Sequence, residues 1–84
     1  MASEDDFKAA VDGVQGLSKR PGNDQLLELY GYYKQATTGD VSGKRPGMLD
    51  MKGRAKYDAW TKRKGLSAED ARAAYIAAAK KLGA

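Results

Sequence analysis

In "YGYYKQATTGD", residues 30–40, three of the chain's five tyrosines fall within four positions and a lysine follows at once. Successive helical residues are rotated by about 100°, so on a helix Tyr30, Tyr33 and Lys34 share a side while Tyr32 points away. An aromatic face beside a cation can hold a planar base next to a phosphate, by stacking and by ionic hydrogen bonds. The competing reading is that Tyr30 and Tyr33 extend a core stripe begun by Leu26 and Leu29. The segment "KGRAKYDAW" repeats the theme, with Lys52 and Lys56 one turn apart and Trp60 one turn further on. Tyr75 is a third aromatic at helical spacing, a core anchor first and a ligand wall second. Lys44, Arg45, Lys62, Arg63, Lys64, Lys80 and Lys81 read as solvated charge, the last two also suiting a helix C-terminus.

Other chemistries find little footing. The 84-residue chain has no cysteine and no histidine. That removes disulfides, thiolate metal sites, the usual zinc ligand and the side chain best suited to proton transfer near neutral pH. Ser3, Ser18, Ser42 and Ser67 have no base to activate them. Asp40, Asp50 and Asp58 do not share a helical face, and the glycines follow no strand as a phosphate loop or dinucleotide fingerprint requires. A catalytic constellation, a metal site and a cofactor are therefore not expected. Fifteen Lys and Arg against eleven Asp and Glu give a formal charge of +4, which suits an anionic partner without naming one. The acidic start and the absence of a long apolar run point to a soluble protein of the cytoplasm.

The elements that must carry these residues are helical. Ser3 and Asp6 fit a capping box ahead of the stripe Phe7, Val11, Val14 and Leu17. "KRPGN" stops that helix, because Pro21 lacks an amide hydrogen. A second helix starts with Asn23 as N-cap, carries Leu26, Leu29, Tyr30 and Tyr33 on one face, and ends near Gly39. A third fits "MKGRAKYDAWTKRK", capped by Asp50 and closed by Gly65. Ser67 and Asp70 open a fourth, "AEDARAAYIAAAKKLG", with Leu66 placed to staple onto Ala71. Its stripe of Tyr75, Ile76, Ala79 and Leu82 matches that of the first helix, so those two helices are expected to pack together. The thirteen residues "TGDVSGKRPGMLD" are long for a helical connection and suit a functional or mobile loop. Pro46 and Gly47 suit a turn there, with Met48 and Leu49 tucked against the core.

"YGYYKQATTGD" followed by "RPGMLDMKGRAKYDAW" closely resembles the acyl-CoA-binding protein family, and the resemblance runs from Phe7 to the last helix. It implies an all-α, four-helix up-down-down-up bundle, one acyl-CoA-binding domain over residues 1–84, that holds fatty acyl-CoA without chemical change. Carried over by position, Tyr30 and Lys34 would meet the adenosine 3′-phosphate and its surroundings, Lys56 the nucleotide end, and Tyr75 the ribose or adenine. Lys52 and Tyr33 would border the nucleotide, and Leu26, Leu27 and Ala55 would line the acyl chain's path. Gln15 stands where many members carry a cation near the phosphates, Tyr57 where Trp is usual, and Arg54 where Lys is usual. Binding is expected to survive these departures. The implied partners are long-chain acyl-CoA and, transiently, acyl-CoA-using enzymes and membranes, with the protein a monomer. A small basic helical nucleic-acid-binding module is the alternative, although no recognition helix with base-reading side chains is evident.

Overall fold

Side chains that satisfy free backbone groups decide where the helices begin. The computed structural model describes residues 3–84. It contains α1 (Glu4–Gln15), α2 (Asn23–Thr37), α3 (Met51–Thr61) and α4 (Ala68–Lys81). Ser3 Oγ accepts from the Asp6 amide, Asp50 Oδ1 from Gly53 and Ser67 Oγ from Asp70, each at 3.0 Å. These are the three caps expected from sequence. At α2 the expectation fails by one residue: Gly22 is the extended N-cap and Asn23 is already helical. Glycine offers no side-chain acceptor, and Gln25 Oε1 instead accepts from the Gly22 amide at 2.9 Å. Helix α3 stops at Thr61 rather than Lys64. The amides of Arg63 and Lys64 bond back only three residues, and Gly65 then takes a φ of 95°.

Helix directions follow from which residues meet. Phe7, early in α1, stacks on Tyr33, late in α2, with ring centroids 5.9 Å apart. Gly13, late in α1, lies beside Ala84, just past α4. Lys56 and Trp60 of α3 meet Tyr30 and Lys34 of α2 in the same order. Hence α1 is antiparallel to α2 and parallel to α4, while α2 and α3 run parallel. This is the up-down-down-up bundle.

Parallel neighbours explain the long connection. The chain must travel back along α3 before starting it, and eleven helical residues span about 16 Å. Residues 38–50 make that return journey, and they are fastened along it. Arg45 forms a two-pronged ion pair with Asp58, Nε to Oδ1 at 2.9 Å and Nη2 to Oδ2 at 2.7 Å. The Tyr57 hydroxyl donates to the Gly43 carbonyl at 3.0 Å, and Trp60 Nε1 donates to the Gly39 carbonyl at 2.7 Å. Arg45 is thus paired, not merely solvated. Met48 and Leu49 correct a second expectation. They remain 81% and 103% exposed instead of tucking into the core, because the Asp50 amide bonds to the Gly47 carbonyl and sets both at the tip of a tight turn.

The core is small and centred on α4. Phe7, Leu29, Tyr75 and Ala79 form its buried cluster, with Val11, Val14, Tyr32, Ile76 and Leu82 packed around it. The expected packing of α1 on α4 is present, and α2 lies against both α3 and α4. Because α2 has neighbours on two sides, Tyr32 serves the core while Tyr33 stays 40% exposed. Gly31 allows the close approach to α3, since a side chain there would collide with the Ala59 carbonyl. No helix among the described residues is long and apolar enough to cross a membrane.

One polar knot ties the ends of these helices together. Gln35 is buried, and its Nε2 donates to Asp40 Oδ1 and to the Leu66 carbonyl, both at 2.8 Å. Asp40 Oδ1 also accepts from the Gly65 amide at 2.8 Å. That amide first, and the Gln35 side chain second, hold the Asp40 carboxyl below its ordinary value of 3.8. The sign follows: the Asp40 contribution is fully present above the ordinary value and is lost as pH falls through the lower, folded one. Asp40→Asn keeps an acceptor oxygen but not the charge. Its melting temperature is therefore expected below that of the parent at neutral pH, with the gap closing in acid. A gap that is unchanged down to about pH 3 would remove the charge from this account.

Candidate functional site

The parallel register of α2 and α3 lines up three positions on each helix. On α2 these are Leu26, Tyr30 and Lys34; on α3 they are Lys52, Lys56 and Trp60, each one turn from the next. The contacts run crosswise. Lys56 Nζ lies 5.5 Å from the centre of the Tyr30 ring, and Lys34 Nζ lies 4.8 Å from that of Trp60. Both distances fall within the range of a cation–π contact. Each helix therefore contributes one ring and one ammonium to the same rung region. Trp60 is itself fixed, being buried and bonded through Nε1 to Gly39. Each of the two cations thus rests on an aromatic support from the other helix, Lys56 exposed and Lys34 half-buried.

Tyr30 is also the link to a wall of rings on the α1 side. Tyr30, Tyr33 and Tyr75 line one depression with Val11, Val14, Gln15, Leu26 and Leu29. Tyr75 meets Phe7 edge-on behind it at 5.1 Å and Tyr33 at 6.5 Å. Burial, and secondarily Tyr33, push the Tyr75 phenol above its ordinary value of 10.0. It therefore keeps its proton at neutral pH and can donate to an anionic oxygen rather than repel it.

At Leu26 this depression meets a groove of about 520 Å³ between the starts of α2 and α3, lined by Arg20, Asn23, Leu26, Leu27, Met51, Lys52, Ala55 and Lys56. That volume is in the ordinary range for small-molecule sites, about 300–1,000 Å³. Leu27, Ala55 and Met51 give it an apolar floor, and Arg20, Lys52 and Lys56 give it a cationic rim with no carboxylate.

The residues singled out in the sequence fall into two adjoining groups. Tyr30, Tyr33 and Tyr75 share the ring-lined depression, and Leu26, Leu27, Ala55, Lys52 and Lys56 share the groove; Lys34 stands beside them on Trp60. Tyr75 anchors the core at 5% exposure and also lies on the wall of the depression. Sequence reasoning missed Arg20, Met51, Val11 and Val14. Arg20 sits in the "KRPGN" break, and its place at the start of α2 was the only available sign. The hydroxyl of Tyr57 has structural work, anchoring Gly43. Gln15 borders the rings but supplies no charge there.

The description "Acyl CoA binding protein" belongs to the family model that matches residues 4–79. An acyl-CoA-binding protein homolog from Manduca sexta is 50% identical over 78 residues, covering 92% of this chain and 87% of the relative. The crystal structure of Oryza sativa acyl-CoA-binding protein 2 superposes with a TM-score of 0.89 at 40% identity, over 94% of this chain and 86% of that one. The crystal structure of the corresponding protein from Moniliophthora perniciosa gives 0.85 at 44% identity, over 90% and 76%.

Proposed function

The chain belongs to the acyl-CoA-binding protein family, and from that premise we propose that it binds medium- to long-chain fatty acyl-CoA thioesters non-covalently and carries them unchanged. The observation that supports this most directly is the crossed arrangement of Tyr30 with Lys56 and Lys34 with Trp60, adjoining an apolar groove. Coenzyme A presents a flat base, a 3′-phosphate, a pyrophosphate and an apolar tail, so its receptor needs rings, cations and a groove side by side. In this reading Tyr30, Tyr33 and Tyr75 face the base and ribose. Lys34 and Lys56 leave their aromatic supports for the 3′-phosphate, and Lys52 faces the phosphates from one turn away. Leu26, Leu27 and Ala55 shelter the acyl chain, each buried methylene adding about 0.8 kcal/mol.

Residues 1–84 act here as one binding domain, a cytoplasmic monomer that forms an acyl-CoA pool for acyl-CoA-using enzymes and membranes. No catalysis, cofactor or nucleic acid enters the reading. Titration calorimetry with palmitoyl-CoA, dephospho-palmitoyl-CoA and free palmitate tests it. One-to-one binding that weakens without the 3′-phosphate and disappears without the CoA moiety is expected. Equal affinity for palmitoyl-CoA and free palmitate would overturn it.

A further inference from the structure

The groove between the starts of α2 and α3 has a neighbour across the same seam. A recess of about 370 Å³ shares Leu27 and Ala55 with the groove and extends from them to Asp24, Glu28, Lys62 and Arg63. One turn further along α2 the helices touch. A side chain at Gly31 would collide with the Ala59 carbonyl and press on Arg63 Cγ at 3.3 Å. A chain that outruns the groove over Leu27 and Ala55 is therefore led into the recess.

The recess differs from the groove in ending on charges of both signs. Arg63 is half-buried and lays its guanidinium over the Tyr32 ring at 4.3 Å, yet its buried Nε has no acceptor. Leaving such a donor without a partner is costly. Stacking on Tyr32 fixes the guanidinium plane, and the N–H donors lie in that plane. The carboxylates of the recess do not answer them. Asp58 is taken by Arg45, and Asp24 lies in the first turn of α2, where negative charge suits the helix dipole. Glu28 has neither role, and it forms no salt bridge with Arg63 or Lys62.

A donor and an acceptor that do not meet each other suit a group that does both. A hydroxyl accepts from the guanidinium and donates to the carboxylate. A methyl end satisfies neither, and a carboxylate end would face Glu28 and Asp24 with like charge. We propose that the recess receives the far end of an acyl chain carrying a terminal hydroxyl, with Arg63 and Glu28 as the residues that select it. This rests on the acyl-CoA reading and names a substrate class for it: ω-hydroxyacyl thioesters, held beside the unsubstituted ones.

Titration calorimetry of the full chain with palmitoyl-CoA and ω-hydroxypalmitoyl-CoA provides the test, and the ratio of the two affinities is the readout. The parent is expected to bind the hydroxylated ligand roughly three- to tenfold more tightly. Arg63→Met keeps an unbranched stem beside Gly31 but removes the donors, and is expected to abolish the preference. Glu28→Ala, at an exposed position, is expected to do the same and serves if the first variant does not fold. A parent that binds both ligands equally, or a preference that survives either folded variant, overturns the proposal and leaves the carrier reading intact. Tighter binding of the ω-carboxyl analogue than of the ω-hydroxyl one overturns the choice of ligand class. Failure to bind either palmitoyl-CoA or its hydroxylated form removes the carrier reading and this proposal together.

Discussion

Lys34→Ala combined with Lys56→Ala is expected to weaken palmitoyl-CoA binding by roughly a hundredfold or more. Hydrogen bonds to charged groups contribute about 1.5–3 kcal/mol each, and about 1.4 kcal/mol is a factor of ten. The two lysines come from different helices but stand in one register, each over a ring of the other helix, and the proposed function assigns both to one phosphate region. Their effects should therefore be less than additive when both touch the same phosphate. The control is dephospho-palmitoyl-CoA, toward which parent and double variant should differ much less. The loss of folding stability should be modest, because a cation–π contact contributes about 0.5–1 kcal/mol at an exposed site such as that of Lys56 and about 2 kcal/mol where it is desolvated, the upper bound for half-buried Lys34. An affinity within about threefold of the parent, roughly 0.65 kcal/mol on that conversion, would remove Lys34 and Lys56 from the nucleotide site.

Trp60→Ala is expected to lower stability by about 3–5 kcal/mol, the usual cost of emptying a large aromatic position. That is a large fraction of the 5–15 kcal/mol available to a typical domain. Trp60 is 8% exposed and supplies the indole N–H that reaches Gly39 at 2.7 Å. It also supports Lys34. Trp60→Phe separates these contributions, since it keeps much of the ring area but leaves the Gly39 carbonyl without its donor. A smaller loss, about 1–3 kcal/mol, is expected for that change. Urea unfolding followed by circular dichroism would show the order parent, Trp60→Phe, Trp60→Ala in falling midpoint. If Trp60→Ala costs less than about 1 kcal/mol, the α2–α3 contact is not held by this side chain.

Gly31 and Trp60 together show how the site depends on a helix pair rather than on one motif. Gly31 brings the α2 backbone against the Ala59 carbonyl, and Trp60 locks the far end of the same seam to Gly39. That spacing is what lets a lysine on each helix reach a ring on the other. Arg45 and Tyr57 contribute at one remove, by holding the return connection along α3. Tyr57 does this with a hydroxyl, which makes its departure from the family's usual Trp consistent with a structural role at that position.

The sequence alone determined most of what is settled within one or two helical turns, the α2 cap and the end of α3 excepted. Ser3, Asp50 and Ser67 cap their helices because each acceptor lies three residues from its amide, and Gly39 and Gly65 follow helices because left-handed backbone suits glycine. The two long motifs also carried the family and its four-helix order. Tertiary structure decided the rest. That Tyr32 packs against the core as well, while Tyr33 touches Phe7 and Tyr75 yet stays 40% exposed, depended on α2 having neighbours on two sides, and the pairing of Lys34 with Trp60 depended on the register of parallel helices. Arg45 found Asp58 thirteen residues away, and Met48 and Leu49 were left in water by the turn that bears them. Local caps need only neighbours along the chain. Burial, cross-helix pairing and exposure depend on which surfaces meet, and helical spacing does not contain that information.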